Sequence, residues 1–367
     1  MAGGILAGGI LAVGTMTGVA VVGFAQSPCL RHGEGTTSGV EMLVPIFGEV
    51  LAATGLAKDE IGFWCSGSSD YLAGRAFSFI SAIDAIGPVP PINESHVEAD
   101  GAWALFEAWV KIQTGEVDTA LVYGFGKSSA GNLRRTLALQ LDPYVLAPLY
   151  PDSLAVAGLQ ARLGIESGAW SEREMAEVAV RSRRDAETNP HAQLTGSKDV
   201  DELLAQPYVA NPLRRHDCAP VTDGASVIVL AAEERAHELV ERPAWITGIA
   251  HAIDSAHLGA RDLTTSPSTV IATQRAGGID GVEVAELYTP FTHQELILRR
   301  DLGLGPDVRI TPSGGALVGN PMFAGGLIRI GEAARQIHSG NASRTLAHAT
   351  GGPALQQNLV CVMEGRD

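Results

Sequence analysis

The run Glu98-Ala99-Asp100-Gly101 places two carboxylates two residues apart, just before a strong helical pattern that opens at Ala102 and stops at Gly115. Carboxylates there are candidate general bases. They equally suit a helix start, where side-chain oxygens accept from unpaired amides and negative charge is favourable. Further along, Tyr288, His293 and His348 are candidate proton carriers or hydroxyl anchors. Asn320, with backbone N–H groups near Gly351 and Gly352, is a candidate lining for an oxyanion pocket. Each has a plainer reading. Tyr288 at a strand end could pack with its hydroxyl on backbone, and His348 could be a satisfied core histidine. His293 could be an exposed helix-start residue, and Asn320 an N-cap. His96 is read as structural, because its side chain points opposite to those of its neighbours in an extended run. The glycine joints Ser66-Gly67-Ser68-Ser69 and Gly351-Gly352-Pro353 could approach a ligand or be tight turns. Neither has the spacing of a Walker or dinucleotide fingerprint.

These groups must be carried by a large core. The chain has 367 residues, 46% hydrophobic and 18% charged, with 5% aromatic and 43 glycines. That balance suits close-packed α/β layers with tight turns better than a β-sandwich. A net charge of −15 argues against a nucleic-acid partner, which needs a basic face, but leaves room for a phosphorylated ligand held by local arginines. Cys29, Cys65, Cys218 and Cys361 are scattered, with no CxxC pair, so no zinc or other metal site is expected. Buried free thiols in a reducing compartment follow, and the chain is read as cytoplasmic. Residues 1–15, with their repeated GGILA, lack the basic flank of a secretory signal and are too interrupted by glycine for a membrane span. Met16 is a candidate natural start, and 1–18 is expected to be an extension without fixed structure.

The chain contains one unit twice. Val21-Val22-Gly23-Phe24 and Ile246-Thr247-Gly248-Ile249 both read as buried strands, and 248 − 23 = 225. The helix stop and strand at Gly115–Gly124 and at Gly340–Ala349 give 340 − 115 = 225. A constant offset over most of the chain signals duplication. The first half is placed at 19–235, with an inserted, mostly helical lobe at about 128–208, and the second at 244–367. Strands alternating with helices predict mostly parallel sheets covered on both faces. Glu98 and Asn320, 222 apart (320 − 98), fall before corresponding helices of the two copies.

The segments VDTALVYGFGKSS, PVTDGASVIVLAA, AELYTPFTHQEL, SGGALVGNPMFAGG and LAHATGGPALQQ together resemble the thiolase superfamily, and in particular its lipid-transfer-type, sterol-carrier branch. FWCSGSSDYLAGRAFSFI and PPINESHVEADGAWAL further resemble actinobacterial thiolase-like proteins of steroid side-chain removal. The resemblance runs from Val19 onward. It implies an α/β thiolase fold with two duplicated αβαβα-type halves and the lobe inserted in the first.

The departures bear on chemistry. Where the family has a nucleophilic Cys in a C-A-x-G run, this chain has Glu98; its G-H-P segment is Gly319-Asn320-Pro321; its E-x-H-D-x-F is Glu286-Leu287-Tyr288-Thr289-Pro290-Phe291. The terminal C-x-G base is replaced by His348-Ala349-Thr350-Gly351-Gly352. Acyl transfer needs a thiolate to carry the acyl group between two steps, and an anhydride on a carboxylate is too easily hydrolysed, so thiolase activity is not expected. The resemblance instead implies a retro-aldolase cleaving a hydroxylated sterol side-chain CoA thioester. That reaction needs a base, for which Glu98 and Asp100 are candidates, and enolate stabilisation. It implies CoA thioester as substrate with no tightly bound cofactor, and contacts to CoA from Arg134 and Arg183, with Arg135, Arg181 and Arg184 nearby. A solvated helix face is the plainer reading of these arginines. The resemblance also implies a dimer, with a second copy or a second thiolase-like chain, and an OB-fold acyl-CoA-binding partner. A non-catalytic subunit that scaffolds a partner, or an acyl-CoA- or lipid-binding protein, are the alternatives.

Overall fold

The computed structural model describes residues 17–31, 38–73, 77–89, 92–139 and 141–366. Nearly all of the expected N-terminal extension, residues 32–37 of the loop after the first strand, and Pro90-Pro91 lie outside the described residues.

The first half runs β1 (Val19–Gln26), α1 (Gly39–Thr54), β2 (Phe63–Gly67), α2 (Asp70–Ala73), α3 (Ser78–Ile86), β3 (Glu94–Val97), α4 (Gly101–Gln113) and β4 (Thr119–Lys127). Helices α5 (Leu133–Leu139), α6 (Ser153–Glu166), α7 (Glu172–Asp185) and α8 (Val200–Leu204) follow, then a ribbon of β5 (Tyr208–Ala210) and β6 (Leu213–Arg214). The chain returns through β7 (Asp223–Ala232) and α9 (Glu233–Leu239). The second half is β8 (Ala244–Ile253), α10 (Pro267–Arg275), β9 (Val284–Leu287), α11 (Thr292–Asp301), β10 (Arg309–Ile310), α12 (Gly325–His338), β11 (Arg344–Gly351) and β12 (Gln357–Glu364).

Ten strands form one sheet in the order β10-β9-β11-β12-β8-β1-β7-β4-β2-β3. The order is palindromic: β3, β2, β4, β7 and β1 of the first half answer to β10, β9, β11, β12 and β8 of the second. The offset recurs, since Val19 to Ala244 and Thr119 to Arg344 are both 225 apart. Within the sheet the halves meet at Ala20↔Trp245 and Val21↔Ala244 among the described residues. The expectation of mostly parallel sheets is corrected. The outer pairs, β2 with β3 and β4 and β9 with β10 and β11, are parallel. The inner pairs, β4–β7, β7–β1, β1–β8, β8–β12 and β12–β11, are antiparallel. The cause is the connections: β12 follows β11 through a short turn, which permits only antiparallel pairing, and β7 returns from the lobe against β4.

Alternate residues along each strand serve different layers, as the pleat requires. On β4, Ala120 and Val122 face a central layer holding α4 and α12, which also receives Ala347 and Ala349 of β11 and Leu359 and Cys361 of β12. Leu121 and Tyr123 face α1 and α3 on one outside. Leu346 and Val360 face α10 and α11 on the other. The two halves of the sheet therefore enclose a shared helix layer, with further helices on the outside of each half.

Two glycines of β4 let the segment before α12 lie on the strand. A Cβ on Gly124 would stand 2.4 Å from the Phe323 carbonyl oxygen, and one on Gly126 2.0 Å from that of Met322. Beneath this contact is a buried ion pair. Arg329 Nη1 of α12 donates to Glu286 Oε2 of β9 at 2.7 Å, and Ser313 donates to Glu286 through both its N–H (3.0 Å) and its hydroxyl (2.7 Å). Removing one partner of a buried pair leaves the other charged and alone. Arg329→Met is expected to destabilise the fold by about 3–5 kcal/mol in denaturant titrations, and Arg329→Met with Glu286→Leu by clearly less.

Candidate functional site

Asp100 is the N-cap of α4, and it caps α12 as well. Its Oδ1 accepts from Ala102 N at 2.9 Å and Leu327 N at 3.0 Å, and its Oδ2 from Gly326 N at 2.9 Å. Gly101 N donates to the Phe323 carbonyl at 2.8 Å, tying the two helix starts together. Burial pushes the carboxyl above the usual range, against the pull of the three amides. Both oxygens are committed inside the fold. Asp100 thus takes the helix-end role and not that of a base.

Tyr288 and Asn320 stand at the same helix start. The Tyr288 ring lies so close to Gly325 that a Cβ there would be 2.7 Å from it. The phenol donates to Asn320 Oδ1 at 2.7 Å, and Asn320 N donates to Thr222 Oγ1 at 2.8 Å. Burial, and then the Asp100 carboxylate, raise the Tyr288 hydroxyl far above its ordinary range, so it serves as a neutral donor. With Oδ1 engaged, the half-buried Asn320 presents its amide N–H groups, which have no partner among the described residues. Cys29 Sγ lies against Gly319, but burial pushes its thiol up to about 11, so it is not a thiolate at neutral pH. Thr222, which fixes the Asn320 backbone, was not singled out from sequence; its only signal was the adjacent Asp223-Gly224.

Glu98 is exposed at the turn from β3 into α4. Its Oε2 is 3.6 Å from His96 Nε2, and His96 Nδ1 is 2.9 Å from Ser66 Oγ. His96 is therefore a neighbour of Glu98, a link that the strand's period of two contains, since residues 94, 96 and 98 share a face.

Other candidates lie elsewhere. His348 faces α10, because Ala347 and Ala349 take the central side. Its Nε2 meets Asn358 Oδ1 at 2.9 Å, and Asn358 Nδ2 donates to Ser268 Oγ at 2.7 Å. The His348 carbonyl accepts from Tyr288 N at 3.2 Å, but its side chain does not join the Tyr288–Asn320 pair. His293, expected to be exposed, is fully buried; its Nε2 meets Gln160 Oε1 at 3.0 Å, which ties α11 to α6. Burial lowers its imidazole to about 3. Gly351 ends β11 opposite Gln357, and Gly352, at φ 71°, turns the chain towards β12. Arg134 is exposed and paired with Asp152. Arg183 is half-buried on α7, without a partner among the described residues. Arg181 is paired with Glu295, and Arg184 with Asp185. Two concavities of about 400 and 540 Å³ share Arg181 and Arg299 along α7 and α11, away from the Tyr288–Asn320 pair. The four cysteines are free thiols, and no cluster of metal-ligating groups occurs among the described residues.

Burial lowers the His348 imidazole from 6.5 to about 4, so the folded chain holds it neutral. Its contribution is fully present above pH 6.5 and is lost as pH falls through 4, because the unfolded chain protonates first. The loss is about 3 kcal/mol. Denaturation midpoints measured between pH 7 and 4 are expected to fall less steeply in His348→Gln than in the parent.

No family model matches the chain. It is 25% identical over 288 residues to the acetyl-CoA acetyltransferase of Methanothermobacter thermautotrophicus, covering 71% of this chain and 74% of that protein. It is 24% identical over 386 aligned positions to sterol carrier protein 2 of Gallus gallus, covering 93% of this chain and 69% of that one. Among solved structures, human mitochondrial 3-ketoacyl-CoA thiolase superposes with a TM-score of 0.77 at 16% identity, covering 95% of this chain and 99% of that one. The Ltp2-ChsH2(DUF35) aldolase superposes with 0.76 at 18% identity, covering 95% and 98%. The chain is a thiolase-fold protein, homologous to the thiolases and to the sterol carrier protein 2 group of lipid-transfer proteins.

Proposed function

We propose that this chain is the thiolase-like subunit of an acyl-CoA carbon–carbon lyase, a retro-aldolase acting on a hydroxylated sterol side-chain CoA thioester. The observation that carries the reading is the exposed Glu98 carboxylate at the β3–α4 turn, where the resembling thiolases place their cysteine. The chain's own thiols do not substitute for it: burial raises Cys29 to about 11, and Cys65 and Cys218 to about 12.

In this reading Glu98 takes the proton of the β-hydroxyl. The bond between the α- and β-carbons breaks, and its electron pair passes to the α-carbon as a thioester enolate. The β-carbon leaves as a ketone. Glu98 then returns the proton to the α-carbon, giving a shortened acyl-CoA. No oxidant or covalent intermediate is needed. Asn320 donates to the enolate oxygen from the amide that Tyr288 holds by its other end, joined by backbone N–H groups near Gly351 and Gly352. Arg134 and Arg183 meet the CoA phosphates. His348, on the α10 side, supports the β11–β12 pair and takes no part in the proton transfer.

The name of the solved Ltp2-ChsH2(DUF35) aldolase supports a DUF35 chain as partner; in this reading that partner is the OB-fold acyl-CoA-binding protein, and the chain pairs with a second copy or with a second thiolase-like chain. No described helix is long and apolar enough to cross a membrane, and the reading places the complex in the cytoplasm.

The purified chain, alone and with a DUF35 partner, is to be given a 3-hydroxyacyl-CoA thioester of a steroid side chain while short acyl-CoA and steroid ketone are measured. Glu98→Gln is expected to lower kcat about a hundredfold or more, and Asn320→Ala about a hundredfold. Full turnover in both variants, with assembly intact, would make the chain a scaffold for a catalytic partner.

A further inference from the structure

Ser66, His96 and Glu98 make a line from the core to solvent. Ser66, next to last in β2, is fully buried, His96 lies opposite it in the parallel register of β2 and β3, and Glu98 follows two residues on. Side-chain exposure rises from 17% at His96 to 57% at Glu98. The imidazole is held on three sides. Ser66 Oγ is 2.9 Å from Nδ1, the Phe79 ring of α3 stacks on it at 5.2 Å with planes 22° apart, and Glu98 Oε2 is 3.6 Å from Nε2. Asp70 also faces His96 electrostatically, but its two oxygens are taken by Phe77 N at 2.9 Å and Ser78 N at 2.8 Å. Glu94, on the same face, also has an oxygen without a partner, but Glu98 is the carboxylate that stands within ion-pair range of the ring.

We propose that Ser66 and His96 form a positioning relay for Glu98, in which the serine hydroxyl donates to Nδ1 and the Nε2–H is aimed at the Glu98 carboxylate. Which ring nitrogen carries the proton is set by its partners: the Glu98 carboxylate can only accept, which favours Nε2–H, and the Ser66 hydroxyl, able to donate or accept, answers by donating to Nδ1 from inside the fold. An exposed carboxylate paired with a loose side chain gains little, because both must be immobilised. Here the ring is already fixed by packing, so only Glu98 has to be ordered. A base with one preferred orientation meets a substrate hydroxyl more often in reacting geometry. His96 acts through Glu98 and not on the substrate. The inference rests on Glu98 as the base of the proposed lyase.

Two measurements test it. In the lyase assay with a 3-hydroxyacyl-CoA thioester of a steroid side chain, His96→Phe keeps the stack on Phe79 but removes both nitrogens. It is expected to lower kcat about tenfold, with KM within about twofold. His96→Gln, which restores a side-chain N–H donor, is expected to recover part of that loss. Second, proton–nitrogen two-bond spectra of the histidine-labelled chain are expected to show His96 as a single Nε2–H tautomer, and Glu98→Ala or Ser66→Ala to turn it into a mixture. Unchanged turnover in His96→Phe, or an Nδ1–H tautomer indifferent to Glu98→Ala, would overturn the relay. Should the parent show no lyase activity, that reading falls by itself, and the tautomer still decides for or against the relay.

Discussion

A single carboxylate receives the starts of both central helices. Asp100 accepts from Ala102 of α4 and from Gly326 and Leu327 of α12, one helix from each copy of the repeated unit. Each helix start leaves amides without partners and carries a partial positive charge. Two such ends brought together would repel and would both need acceptors. One buried anion meets both needs, and its own burial is made tolerable by three charge-assisted bonds. The approach is so close that a Cβ on Gly326 would stand 2.5 Å from Asp100 Oδ1. The placing of Tyr288, packed on Gly325, and of Asn320, just before α12, follows from this junction.

The sheet explains why the junction lies where it does. Within the sheet the halves share a two-residue seam between β1 and β8, supplemented by the isolated bridges Cys218↔Phe291 and Thr222↔Pro321. The central helices add packing: Leu327, Ile330 and Ala334 of α12 pack in one cluster with Ala104, Leu105 and Ala108 of α4 and with strands of both halves. Arg329, on the same helix, reaches Glu286 on β9. A helix fixed at its start by one half and along its length by the other transmits the geometry of each to the loop before it. That loop carries Asn320.

Much of this was legible in the sequence, for definite reasons. The repeat offset, the helix after Asp100 and the strand ends each follow from local rules of period and capping. What was not legible depends on partners distant in the chain. His293 follows a strand–turn pattern that reads as exposed, yet the inserted lobe brings Gln160 over it. Which face His348 takes was unknowable until the register of β11 against β12 set Ala347 and Ala349 inward. The antiparallel centre of the sheet arises from where the connections return, which no single strand records. The Ser66–His96 contact is likewise a matter of register between β2 and β3.

The same reasoning separates Glu98 from Asp100. Residue type and spacing make them equivalent, and in isolation either could be a base. The turn between β3 and α4 divides them: Glu98 remains on the exposed side with His96, while Asp100 is drawn beneath the two helix starts. An acid with both oxygens engaged by backbone amides serves the two helix starts. Environment, not identity, distributes the roles. The residue that secures the two helix starts is thus distinct from the carboxylate left exposed beside them.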